Sequence, residues 1–146
     1  MTHIVNTRWK GNMAFDSQID THTLRIDAPK EIGRDSGPSP KKLLLSSLAG
    51  CTGMDVVSLL QKMRINFTDF EILIDADLTT EHPKVYSEIR MVYKIFGSDL
   101  NKEKIQKAVD LSQEKYCGVS AMLKKNSPIK YSVELVEVSI PEPSVN

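Results

Sequence analysis

Signatures of metal binding are missing from this sequence. Its three histidines, His3, His22 and His82, are scattered, and no Cys-x-x-Cys or His-x-x-x-His pair occurs. No metal site is therefore expected, and no cofactor. There is no Gly-x-Gly-x-x-Gly or Walker-type loop, so the usual backbone cradles for phosphate are absent. Ser46 and Ser47 lack the strand-to-helix turn of a nucleophile elbow and read as helix-packing hydroxyls. Charge of one sign is lacking too: 19 basic side chains balance 19 acidic ones. That gives no electrostatic reason to expect a nucleic-acid partner. No repeat, low-complexity tract or linker interrupts the 146 residues, and such a length suits one domain, residues 1–146, with a real core. The opening Met1 to Asn6 has no basic stretch leading into an apolar one, so no signal peptide is expected and the location is read as cytoplasmic. Cysteine is scarce, with only Cys51 and Cys117. Without export, two cysteines read as free thiols or a redox pair rather than a structural staple.

What the sequence does have is one long apolar run from Pro40 to Arg64. It predicts a helix, with Ser39 as N-cap candidate and Pro40 in the first turn, where its missing N–H is not needed. At about 1.5 Å per residue it would span about 37 Å. Leu44, Leu48, Leu59 and Leu60, with Met54, Val56, Val57 and Met63, cover more than one stripe. Such a helix is expected to be buried on several sides, by sheet or by a second copy of itself. Lys42 and Asp55 bracket its most apolar part, short of the about 20 apolar residues of a membrane span, so no membrane is expected. Gly50 and Gly53 flank Cys51. Each costs roughly 1 kcal/mol against alanine inside a helix, which points to a close approach on that face, with helix packing the plainest cause.

Around the helix the pattern is strand-like. Segments 3–9, 13–16 and 23–27 read as a meander, with a polar turn near Ser17 to Asp20. Residues 28–39 carry Pro29, Gly33, Gly37 and Pro38 and read as a loop with Arg34 and Asp35 at its centre. Segments 70–78 and 85–96 form a long hairpin with one wet face. A second helix is expected from 101 to about 115, with Ile105, Val109, Leu111 and Ser112 on its inner side, then a short helix to Lys125 and a last strand over 131–138. The tail from Pro141 reads as loose. Strands, long helix, strands, helix, strand is an α+β order with an antiparallel sheet.

Cys117 falls at a helix junction, where free N–H groups and the helix dipole favour a thiolate. Asp55 lies four residues after Cys51, so it shares that face and would raise the thiol pKa. A reactive Cys51 then needs a cation, and Arg25 and Arg34 are the nearest before the helix. Two readings stand at this point: a reactive pair, or two small buried apolar residues, as free cysteines usually are.

The run Gly37-Pro-Ser-Pro-Lys-Lys-Leu-Leu-Leu-Ser-Ser-Leu-Ala-Gly-Cys51-Thr52 resembles the start of the central helix of the OsmC/Ohr family, whose opening of Asn-Pro-Glu-Glu-Leu-Leu type leads to Ala-Gly-Cys. Tyr116-Cys117-Gly118-Val119-Ser120 resembles its second motif, usually Cys-Pro-Val-Ser. Cysteine spacing and strand order fit over nearly the whole chain, and the YhfA-type branch is the most similar. The resemblance implies an intertwined homodimer with sheet wrapped around paired central helices. It also implies reduction of small hydrophobic hydroperoxides: Cys51 attacks as thiolate and becomes a sulfenic acid, Cys117 closes a disulfide, and a dithiol or lipoyl-type reductant reopens it. In the family an arginine held by a glutamate stabilises the thiolate. The glutamate's place, ten residues before the first cysteine, is Lys41 here, and Gly118 stands for the usual proline. Arg25 or Arg34 would be the arginine. The lost glutamate keeps a second reading open, a non-enzymatic dimer that binds a small apolar ligand or electrophile between its helices.

Overall fold

The computed structural model describes residues 1–139; the tail from Pro141 lies outside them. The chain divides into two compact units, residues 1–46 and residues 47 onward.

The first unit is a meander of β1 (Val5–Trp9), β2 (Phe15–Ile19) and β3 (His22–Ile26), antiparallel in that order. The Lys10 N–H donates to the Ala14 carbonyl across the first turn (2.8 Å), where Gly11 and Asn12 take φ of 96° and 49°. The second turn is tighter than the sequence suggests. β2 continues through Ser17 and Gln18, and only Asp20 and Thr21 link Ile19 to its register partner His22. Both polar residues hold the strand by cross-strand bonds: the Ser17 and Thr7 hydroxyls meet at 2.5 Å, and Thr23 donates to the Gln18 side-chain carbonyl at 2.9 Å. Asp20, with φ of 53°, supplies the left-handed residue a two-residue hairpin needs.

The loop after β3 is tied by one buried carboxylate. Asp27 accepts from the Ala28 N–H (2.7 Å), the Ser36 N–H (3.0 Å) and the Ser36 hydroxyl (2.5 Å). These bonds hold its carboxyl down at about 2. Two glycines are fixed by space here. A Cβ on Gly33 would stand 2.7 Å from the Ala28 carbonyl oxygen, and one on Gly37 2.3 Å from that of Arg25.

α1 (Pro40–Lys62) begins at Pro40, as expected, and crosses from one unit into the other. Within this chain it buries a single stripe, Leu48, Thr52, Val56 and Leu60, at strict four-residue spacing. The burial on several sides that its composition predicts is not met by one copy of the chain. α1 is long and apolar enough to cross a membrane by length and composition.

The second unit packs α1 from Ser47 with a three-stranded sheet of order β4 (Asp69–Leu78), β5 (Tyr86–Gly97) and β6 (Ile129–Glu137). β4 and β5 form the expected antiparallel hairpin. β6 differs from expectation: it runs parallel to β5, pairing Ile89 with Ile129 through Gly97 with Glu137. The sheet is therefore mixed. The connection between them contains α2 (Lys102–Leu111) and α3 (Gly118–Lys124), long enough to return the chain to the same end before the strand begins. Central β5 sends Ile89, Met91, Tyr93 and Ile95 into the core, where Leu48, Val56, Leu60, Ile105, Ala108 and Val109 meet them. Its other face is wet, with Arg90 bonded to Asp75, Asp77 and Glu88.

Candidate functional site

α2 is capped by Asn101, whose side chain accepts the Lys104 N–H (3.1 Å), and it ends at Leu111 rather than near Lys115. Residues Ser112–Tyr116 form one turn of π-helix, closed by the Cys117 N–H donating to the Ser112 carbonyl at 2.8 Å. Such a turn inserts a residue into the helical period. Its effect here is to aim Ser112 and Gln113, both buried, at the core. Cys117 follows in extended conformation and caps α3, its sulfur accepting the Ser120 N–H at 3.3 Å.

The structure brings Cys51 and Cys117 together. Their sulfurs and a carboxylate oxygen of Asp55 all lie within 4.8 Å of one another. Cys51 is half-buried on α1; Cys117 is only 3% exposed. Asp55 shares the Cys51 face, as the spacing predicts. Burial pushes the Cys117 thiol up to about 11. The Ser120 N–H acts the other way, as a junction should, and Cys51 and Asp55 add to the rise. The junction effect foreseen from the sequence is present but outweighed by burial.

A hydrogen-bonded chain runs from the cap to Asp55. Ser120 donates to the Gln113 side-chain oxygen Oε1 (2.7 Å), and the Gln113 side-chain amide Nε2 donates to the Tyr93 oxygen (2.6 Å). Tyr93 meets Thr52 at 2.7 Å, Thr52 meets Ser112 at 2.7 Å, and Ser112 donates to Asp55 Oδ2 at 3.0 Å. An amide nitrogen only donates and a carboxylate only accepts. The hydroxyls between them must therefore all point one way, Tyr93 to Thr52 to Ser112. Sequence reasoning missed this chain. A signal was available: Thr52 sits in the buried stripe of α1, and Tyr93 alternates with Met91 and Ile95 inside β5. Buried polar groups need partners.

The arginines belong to the first unit. Arg25 is paired with Asp16, its cross-strand register partner, and its Nη1 also reaches the Ser36 hydroxyl at 3.5 Å. Arg34 is exposed in the loop that Asp27 ties. Lys41 and Lys42 are exposed on the first turn of α1. Among the described residues Asp55 makes no ion pair.

Of the flanking glycines, Gly53 faces Ile72 of β4, with 3.2 Å for an added Cβ, whereas Gly50 faces open space. An apolar groove of about 610 Å³ opens there, between Gly50, Gly53, Val57, Phe70 and Ile72. A smaller cavity of about 340 Å³ reaches Asp55 between Met54, Leu59, Lys62 and Tyr116.

A helix-borne thiol and a buried thiol stand close together on this α+β frame, as the resemblance to the OsmC/Ohr family implies. Residues 33–132 match the family described as OsmC-like protein. The chain is 39% identical over 130 residues to Protein YhfA of Escherichia coli K12, covering 88% of this chain and 95% of YhfA. The chain therefore belongs to the OsmC-like family. A crystal structure of a hypothetical protein from Aquifex aeolicus VF5 superposes with a TM-score of 0.86 at 29% identity, over 95% of this chain and 99% of that one. The organic hydroperoxide resistance protein OhrB of Bacillus subtilis shares the fold, with a TM-score of 0.66 at 23% identity over 92% and 98% of the two chains.

Proposed function

We propose that this protein is a thiol-dependent organic hydroperoxide reductase. The observation that carries the reading is the nearness, within 4.8 Å, of a half-buried sulfur, Cys51, and a buried one, Cys117. In this reading the Cys51 thiolate attacks the peroxide oxygen, the O–O bond breaks, and the alkoxide leaves as alcohol after taking a proton. The Cys51 sulfenic acid then condenses with the Cys117 thiol, releasing water and forming the S–S bond. That bond needs sulfurs about 2.05 Å apart, so the pair closes from a separation within 4.8 Å. A dithiol of lipoyl type returns both thiols.

The Cys51 thiolate also needs a cation. Arg25, already oriented by Asp16, takes over the task the family gives to an Arg–Glu pair, and Arg34 is the alternative. We assign the protein a homodimeric state and a cytoplasmic location. Trp9 is 63% exposed, and Val5 and Ile19 beside it on the meander are also exposed, as a face that a second copy covers would be. The test is consumption of cumene hydroperoxide with dithiothreitol or a lipoyl reductant. Wild type should turn over and Cys51→Ser should not; equal rates would end the proposal. Arg25→Gln and Arg34→Gln, made separately, should identify the cation by which one loses rate.

The apolar groove beside Gly50 favours a second reading, capture of a small apolar ligand without chemistry, since neither cysteine lines it. Under that reading Cys51→Ser keeps full ligand affinity and hydroperoxide is not consumed.

A further inference from the structure

We propose that Cys51, Asp55 and Cys117 form a three-ligand site for a soft divalent cation of the zinc type. Sequence spacing hides this site, because its ligands come from α1 and from the junction after the π turn. Their ligand atoms lie within 4.8 Å of one another. In a tetrahedral site with metal–sulfur bonds of about 2.3 Å and a metal–oxygen bond of about 2.1 Å, neighbouring ligand atoms stand roughly 3.5–3.8 Å apart. The observed triangle needs only a small contraction to hold the ion. Two sulfurs and one oxygen favour zinc or cadmium over magnesium or calcium.

The surroundings fit a ligand set. The Ser112 hydroxyl bonds Asp55 Oδ2 (3.0 Å) and is itself held by Thr52, which is how carboxylate ligands are oriented from behind. The cavity between Met54, Leu59, Lys62 and Tyr116 reaches Asp55, one of the three ligands. Charge balances: the cation replaces the two thiol protons, which leave to solvent, and the site keeps the single negative charge that Asp55 gave it. Metal binding and disulfide formation use the same sulfurs, so each excludes the other. That exclusion rests on the peroxidase reading; the binding itself does not.

The experiment titrates Cd²⁺ into the reduced, chelator-stripped full chain and follows the ultraviolet thiolate-to-cadmium charge-transfer band. Zinc is then measured by competition with a chromophoric chelator. We expect one Cd²⁺ per chain. Cys51→Ser and Cys117→Ser should each lose most of the band. Asp55→Asn should keep it but bind about 10–100-fold more weakly, and Ser112→Ala about tenfold more weakly. Wild type oxidised to the disulfide should show no band, a control that needs no variant to fold. No band at one equivalent, a full band in Cys117→Ser, or wild-type affinity in Asp55→Asn overturns the site. One equivalent of Zn²⁺ should also slow the peroxide-driven loss of two hydrogens in the intact mass. Unchanged loss with zinc bound overturns the exclusion. A chain that binds cadmium yet consumes no hydroperoxide retains this site and refutes only the peroxidase.

Discussion

Cys117 should be a poorly reactive thiol in the folded chain and an ordinary one in the unfolded chain. Its pKa stands at about 11 against an ordinary 9.0. At pH 7 the thiolate fraction is then about one in ten thousand, against about one in a hundred for an unperturbed thiol of pKa 9, and only the thiolate alkylates. Alkylation of reduced, metal-free protein by iodoacetamide, read by mass spectrometry of the Cys117 peptide, should be at least about 100-fold slower than in urea. The rate should rise about tenfold per pH unit from 7 to 10 without a plateau. A plateau near pH 9 would mean that the reaction runs through an opened form with an ordinary thiol, and would refute the account of the buried sulfur. So would equal rates in native and unfolded chains. The sign for stability follows from the raised value. Burying the neutral thiol contributes stability that is fully present below about pH 9 and is lost as pH rises through about 11. Because Asp55 raises the thiol, Asp55→Asn should speed the alkylation.

Other perturbations test the frame. Tyr93→Phe strands the Gln113 amide and removes the hydrogen that Thr52 accepts; a loss of roughly 1–3 kcal/mol in urea unfolding is expected, and a neutral result would deny that the chain of hydroxyls matters. Gly37→Ala sets a Cβ against the Arg25 backbone and should cost about 1–3 kcal/mol, whereas Gly118→Ala meets nothing within 4 Å and should be neutral or slightly stabilising. Asp27, held down at about 2, contributes stability present above its ordinary 3.8 and lost as pH falls toward 2. Unfolding midpoints measured between pH 5 and 2 should therefore fall more steeply for wild type than for Asp27→Asn.

The residues that announced the site were those whose period carries meaning. Cys51 and Asp55, four apart on a helix that Pro40 opens, had to share a face. Cys117 could be put at a junction because Gly118 interrupts the pattern. The π turn left no such mark: one inserted residue between Leu111 and Cys117 changes where Ser112 and Gln113 point without changing composition. The direction of β6 was equally silent, since alternation is the same read parallel or antiparallel. Ser17 and Gln18 looked like a turn because polar residues cluster there, yet cross-strand hydroxyl and amide bonds keep them in β2. Asp27 gave no hint that a carboxylate would organise the loop after it, because its donors are backbone N–H groups and the Ser36 hydroxyl.

The parallel seating of β6 bears on how the protein is made. β5 is the middle strand of its sheet, yet the strand that covers its second edge is the last one described in the chain. During synthesis the backbone of Ile89 to Gly97 must wait, half unpaired, until both intervening helices and β6 have left the ribosome. An exposed run of Ile, Met, Tyr and Ile at an open strand edge invites association between nascent chains. Truncations that stop before Ile129 should therefore accumulate as aggregates rather than as a trimmed soluble form.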